Sequence, residues 1–293
     1  MHIRTVDHAL VAADCREVQH LQETLHPTSR SKRFNTAQHA HQDIVPVVPE
    51  TDAFTHEQPP WTAYGYVMWQ PLISRSQNMR ESHVIRIPGS LYEDLMRCHT
   101  AWIATNRFPP ELIEETIFMW QSTKRGRDLA KLLDGKKKWF VRLDQMSPKD
   151  SPFGGKQPSC TFEDVVVKLC SSMRAWNCLQ SERSDAETQG RELKMELVLN
   201  PWDEHMDPGR EFRVFVPPPA TRGASAYNWP APFAFDLALQ HDRTVQLVEL
   251  NPFGALSACG SCLFNWITDG RVLYGLEKNV EFAITLSAYD SQG

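Results

Sequence analysis

The chain has 293 residues, 41% of them hydrophobic and 23% charged, enough for one large or two small globular domains with a sizeable core. Its formal net charge of −5 argues against a general nucleic-acid binder, because neutralising phosphates takes a basic excess or a basic stripe. No run approaches the roughly 18 apolar residues of a membrane span, and the segment from Met1 has no apolar h-region, so neither a membrane helix nor a secretory signal is expected. The seven cysteines form no regular framework and are expected as reduced thiols in a cytoplasmic protein.

Residues 1–60 hold His, Gln, Thr, Pro and Ser with little apolar periodicity, apart from a short helical pattern over 6–25. His39, His41 and His56 lie among polar residues and Pro46, Pro49, Pro59 and Pro60 with no fixed ligand spacing, so a flexible arm is expected rather than a metal site. Folded texture starts near Trp61. Ser90 with Glu93 has the spacing of a capping box, and Leu91, Leu95, Cys98 and Trp102 then form a helical stripe. Pro109, Pro110 and Glu111 open a second helix, with Leu112, Thr116, Met119, Leu129, Leu132 and Leu133 as its buried side; Gly126 is placed to break it and Gly135 to stop it. The triplet Lys136, Lys137 and Lys138 reads as the solvated start of a strand over 139–143.

Residues 147–155 read as a loop, and Thr161 to Asp164 starts another helical pattern that fades near Ser171 and Ser172. From Glu192 the texture changes to strands over 194–199, 211–216, 233–239 and 244–251. Helices followed by strands predict an α+β chain: an arm over 1–60, a domain over 61–280 with a helix-rich lobe (61–190) and a strand-rich lobe (191–280), and a tail over 281–293.

The last two strands carry the chemistry. A two-residue loop of Asp242 and Arg243 would pair Asp236 with Glu249, Leu237 with Val248 and Phe235 with Leu250. Asp236, Glu249 and Asn251 then share one face. Two opposed carboxylates repel, and Mg²⁺, commonly held by one or two carboxylates plus substrate phosphates, would supply the missing charge. A solvated acidic hairpin explains the spacing equally well.

Residues 248–254 (Val-Glu-Leu-Asn-Pro-Phe-Gly), followed by Cys262, Leu263, Phe264, Asn265 and Trp266, resemble the signature of the cell-division-cycle protein 123 family. Three further segments match in order: 139–150 with its Ser-Pro-Lys-Asp loop, 197–202, and the Glu-Phe-Arg strand 211–216. The resemblance implies an ATP-grasp-like, two-lobed α+β fold with an antiparallel sheet, clamping ATP and Mg²⁺. It places Asp236, Glu249 and Asn251 at metal-ligand positions, Arg213 on the phosphates, Arg142 and Lys149 near the nucleotide, and Val198, Leu199 and Trp202 beside the adenine. Glu249 stands where the family has Asp, Arg142 where it has Lys, and Asn200 and Pro201 where it has a basic pair. Few residues separate Asn228, Trp229 and Pro230 from Asp236, where the family carries a longer helical segment, which favours an inactive or truncated member; the Gly-Ser-Cys variation over 256–262 favours a divergent paralogue.

Three functions follow as expectations. The resemblance implies an ATP-dependent, chaperone-like assembly factor for translation initiation factor 2, acting on its gamma subunit. The alternatives are a ligase that activates a carboxylate as an acyl phosphate, with Arg213 stabilising the transferred phosphoryl group, and an inactive truncated member. Cys259 and Cys262 have the spacing of half a zinc site or a redox pair, but no second Cys-x-x-Cys exists and buried thiols are the simpler reading. Gly154, Gly155 and Lys156 fit a turn or a loop over phosphates. Neither a P-loop nor a Gly-x-Ser-x-Gly elbow occurs.

Overall fold

The computed structural model describes residues 1–23, 33–37, 39, 41–47, 61–218, 232–257 and 259–286. His56, Pro49, Pro59, Pro60 and the connection after Asn228, Trp229 and Pro230 lie outside the described residues. The chain divides into a terminal unit (Met1–Thr62, Glu211–Leu237, Val248–Gly293) and a central unit (Ala63–Arg210, Ala238–Leu247). In this division the two ends of the chain belong to one unit.

In chain order, β1 (His2–Asp7), α1 (His8–Glu23) and the one-turn α2 (His41–Ile44) come first. α3 (Tyr66–Ser76), β2 (His83–Ile87), α4 (Gly89–Thr105), α5 (Pro110–Ser122) and α6 (Lys124–Leu132) follow. Next are β3 (Asp134–Leu143), β4 (Ser159–Thr161), α7 (Phe162–Ser171), α8 (Met173–Gln189) and β5 (Met195–Pro201). β6 (Glu211–Val216), β7 (Phe233–Leu239), β8 (Val245–Pro252), the short α9 (Gly270–Leu273) and β9 (Glu281–Leu286) complete the series.

The central unit is an antiparallel sheet in the order β2-β5-β3-β4 with helices packed on it. Leu91, Leu95 and Cys98 bury the expected stripe of α4, and Trp120, Trp139 and Leu169 fill the same core. The Ser90 capping box does not form. Helix α4 starts two residues earlier than that cap implies, at Gly89, with Pro88 as its cap: the Pro88 carbonyl accepts the Leu91 and Tyr92 amides at 3.0 and 3.2 Å, and no side chain caps the end. The break between α5 and α6 falls at Thr123 rather than Gly126, since the Thr123 hydroxyl accepts the Gly126 amide at 3.0 Å. Gly126 is needed for closeness, because a Cβ there would collide with the Trp120 carbonyl. Thr161 and Asp164 do form a capping box, at the start of α7.

Helix α8 carries no strong sequence signal, because its buried face has a single large apolar residue, Leu179, among Ala175, Cys178, Ala186 and the charged Glu182. Arg191 holds that buried carboxylate at 2.6 and 3.0 Å, and the Lys194 amide adds a 2.6 Å bond.

In the terminal unit, β1 and β9 pair in parallel, Ile3 against Phe282 and Thr5 against Ile284. A strand of the expected arm and a strand of the expected tail thus pair as one two-stranded sheet. Arg4 fixes it by ion pairs with Asp269 (2.9 Å) and Glu281, with its guanidinium 5.1 Å above the Phe264 ring. Ile44, Phe253, Trp266 and Tyr274 form the core beneath.

Candidate functional site

Strands β6, β7 and β8 form a three-stranded sheet in that order. Alternation on β6 sends Phe212 to stack on Phe282, at 5.6 Å between ring centroids, and turns Arg213 and Phe215 to the other face. Phe215 packs there against Phe253, Phe264 and Trp266. On β7, Ala234, Asp236 and Ala238 are the buried positions of a regular alternation, so a carboxylate lies between two small apolar residues.

Arg213 meets that carboxylate with a two-pronged ion pair: Nε donates to Oδ1 at 2.7 Å and Nη2 to Oδ2 at 2.6 Å. Its remaining terminal nitrogen, Nη1, donates to the Gly260 carbonyl at 2.7 Å and contacts Cys259 Sγ at 3.1 Å. Side-chain exposures of 14% for Arg213 and 11% for Asp236 put the pair largely out of water. From β8, Asn251 Nδ2 donates to Asp236 Oδ2 at 3.4 Å, and the Glu249 carboxylate lies near enough to act on Asp236. Arg213, Asp236, Glu249 and Asn251 therefore come together.

The connection that aligns them differs from the expected one. The Gln240 amide bonds the Thr244 carbonyl at 2.9 Å and the Arg243 amide bonds the Gln240 carbonyl at 3.0 Å, which closes a three-residue loop. Arg243 takes the left-handed conformation (φ 70°), and Asp242 accepts the Thr244 amide and hydroxyl at 2.9 and 2.6 Å. A two-residue hairpin turn of type I′ or II′ would need positive φ at Asp242, and of the two residues only Arg243 has it. Carried unbroken along the strands, the three-residue loop would set Val248 opposite Asp236 and turn Glu249 away. The contacts of Glu249 and Asn251 with Asp236 therefore require a one-residue shift along the pair.

The loop that receives Arg213 is itself clamped. Residues 33–37, inside the expected flexible arm, lie along Cys259 to Cys262. The Asn35 amide donates to the Cys262 carbonyl at 2.6 Å, and Asn35 Oδ1 accepts the Cys262 amide at 3.1 Å. The Thr36 amide donates to Ser261 Oγ at 2.9 Å, the Ser261 amide to the Thr36 carbonyl at 3.1 Å, and the Trp266 amide to Thr36 Oγ1 at 3.0 Å. A Cβ on Gly260 would collide with Asn35 Oδ1, so the close approach needs glycine. Gly260 and Asn35 are parts of the site that sequence reasoning missed. The Cys-Gly-Ser-Cys run drew attention to its thiols, whereas its backbone carries the contact. Both thiols are free; burial raises Cys259 to about 12 against the pull of Arg213, and burial raises Cys262 as well.

Burial pushes the Asp236 carboxyl above its ordinary value, Arg213 pulls it down, and the neighbouring Glu249 adds to the push. Burial alone would lower Arg213, but the hydrogen bonds to Asp236 outweigh it and hold the guanidinium firmly charged. Among the described residues no group of three or more His, Cys, Asp or Glu gathers around one point. Two carboxylates and an amide suit Mg²⁺, which keeps waters and takes phosphate oxygens. The donor set fits the ion. The Asn251 bond to Asp236 uses the amide nitrogen, not the oxygen that would ligate a cation.

The other expected binding residues lie in the central unit. Arg142 is buried with its guanidinium 4.4 Å over the Tyr66 ring, and Nε donates to the Leu143 carbonyl at 3.2 Å. Asn200, where a basic residue was expected, joins that group: Nδ2 donates to Tyr66 Oη at 2.7 Å and Oδ1 accepts from Ser82 at 2.6 Å. Val198 and Leu199 are fully buried in the strand between β2 and β3 and paired on both sides. Their backbones serve the ladder, and the Trp202 amide donates to the Lys138 carbonyl at 2.9 Å. Lys149 is exposed, while its neighbour Asp150 accepts the Ser172 hydroxyl at 2.5 Å and the Arg174 amide at 3.1 Å at the start of α8. Gly155 packs against the Pro148 and Lys149 carbonyls, which gives that glycine pair a role in a tight turn.

No family model matches the sequence, and no curated protein is found similar to it. Among solved structures the chain is similar to Cdc123 from Schizosaccharomyces pombe, with a TM-score of 0.51 and 20% identity over 77% of this chain and 96% of that one. A C-terminally truncated form of the same protein gives a TM-score of 0.51 at 19% identity, over 76% and 96%. At that identity the likeness is one of fold: the chain has the ATP-grasp-like α+β fold of Cdc123, the fold that its motifs resemble. No helix among the described residues is long and apolar enough to cross a membrane.

Proposed function

We propose that the chain is a divergent Cdc123-like protein that binds ATP with Mg²⁺ through Arg213, Asp236, Glu249 and Asn251. The carrying observation is the convergence of these side chains from three adjacent strands around one buried carboxylate. Such a group has the charges a nucleotide–metal complex needs. Asp236, Glu249 and the Asn251 amide oxygen would hold Mg²⁺, which neutralises phosphate charge, and the Arg213 fork matches phosphate oxygens in pairs. Arg213 acts as a binding group in this reading. The wider role proposed, ATP-dependent assembly of translation initiation factor 2 through its gamma subunit, rests on the motif resemblance alone.

Calorimetry of ATP with the wild-type chain and Asp236→Ala, with and without Mg²⁺, tests the site. Mg²⁺-dependent binding by the wild type and its loss in the variant are expected; no measurable binding by the wild type overturns the reading. Capture of the gamma subunit by the ATP-loaded chain tests the wider role separately.

A further inference from the structure

We propose that Arg213 is a built-in counter-cation for Asp236, so that a divalent metal enters the site only together with a nucleotide that draws the guanidinium away. This deepens the ATP reading and rests on it for the identity of the nucleotide. The structural basis is that Arg213 occupies both oxygens of Asp236, at 2.7 and 2.6 Å, and these are the oxygens a metal would ligate. Its fork is also anchored at the far end by the Gly260 carbonyl at 2.7 Å.

Charge counting shows the consequence. Asp236 and Glu249 bring two negative charges and Arg213 one positive, so a lone divalent ion meets a single uncompensated negative charge and a cation already seated on its ligand. Phosphate oxygens change both terms: they add negative charge for the metal and offer the guanidinium another two-pronged partner. Metal and nucleotide must then bind with positive coupling, and each must raise the affinity of the other by the same factor. Residues 33–37 take part indirectly, since Asn35 and Thr36 hold the loop whose Gly260 carbonyl keeps Arg213 in place.

The test uses the full chain and Mn²⁺ alone as probe, read from the free-ion electron-spin resonance signal, with a non-hydrolysable ATP analogue added in a second arm. For the wild type, the analogue should tighten Mn²⁺ binding at least about tenfold. Arg213→Lys, which keeps the charge but loses the fork, should tighten binding of Mn²⁺ alone and lose most of the coupling. Equal wild-type affinity for Mn²⁺ with and without saturating analogue overturns the proposal. So does unchanged binding of Mn²⁺ alone by a folded Arg213→Lys. Should that variant fold poorly, the wild-type comparison still decides. Tighter Mn²⁺ binding by Arg213→Lys with no nucleotide binding in either protein would support the counter-cation role while rejecting the ATP reading.

Discussion

Arg213 and Asp236, 23 residues apart in sequence and on adjacent strands, face each other with two parallel hydrogen bonds of 2.6 and 2.7 Å at the buried centre of the candidate site. A buried pair of this kind costs desolvation on both sides, and its geometry is what offsets that cost.

Removing one partner should therefore hurt more than removing both. Arg213→Met leaves a buried carboxylate without its cation and should cost about 3–5 kcal/mol, whereas Arg213→Met with Asp236→Leu should recover much of the loss. Urea unfolding of the two variants and the wild type measures the difference, and equal losses would contradict the account.

Gly260→Ala should destabilise by about 1–3 kcal/mol, because the new methyl must displace Asn35 Oδ1 and with it the bond from the Cys262 amide. Asn35→Gly suits the position, since Asn35 already has φ 48°. In that background Gly260→Ala should cost distinctly less. A double-mutant cycle by thermal or urea unfolding gives the coupling, and additive losses would exclude the clamp.

Alkaline pH should weaken the fold through its buried thiols. Burial raises Cys259 and Cys178 to about 12, while an unfolded thiol keeps its ordinary value near 9.0. Between those values the folded chain keeps a proton that the unfolded chain sheds, so stability falls as pH rises from about 9 and the loss levels off above about 12. At pH 10 each thiol should account for about 1.4 kcal/mol. Cys259→Ala and Cys178→Ala should each flatten the fall between pH 8 and 10, measured by urea midpoints.

In the central unit, Tyr66→Phe removes the oxygen that accepts from Asn200 Nδ2 and leaves a buried amide proton without it. The expected cost is about 1–3 kcal/mol, with the ring still present beneath Arg142. Arg142→Lys should also destabilise, because an ammonium cannot both cover the ring and keep the Nε bond to the Leu143 carbonyl. Thermal unfolding of both variants checks this.

The sequence made some of this visible and hid the rest for physical reasons. Alternation along β7 and β8 shows which residues share a face, and the ordered motifs point to the fold. The three-residue loop was not legible, because Arg243 is a non-glycine residue with φ 70° and such positions carry no reliable residue signal. Helix α8 escaped because its buried face sets only one large apolar residue, Leu179, among small residues and a paired glutamate. The clamp at Asn35 and Thr36 escaped because a short polar segment acquires its meaning only from partners more than 220 residues away. Arg142, Val198, Leu199 and Trp202 matched motif positions, yet their contacts are those of a packed sheet and a cation–ring stack.

The central claim is that Asp236, Glu249 and Asn251 hold the metal that accompanies ATP, and Glu249→Gln tests it with the Arg213–Asp236 pair left intact. The measurement is the Mg²⁺ concentration needed for half-maximal ATP binding by calorimetry, in the wild type and in Glu249→Gln. The account predicts Mg²⁺-dependent binding by the wild type and a requirement at least about tenfold higher in the variant, a loss typical even of groups that only support a ligand. ATP binding that persists undiminished in excess chelator, or an unchanged Mg²⁺ requirement in Glu249→Gln, would contradict it.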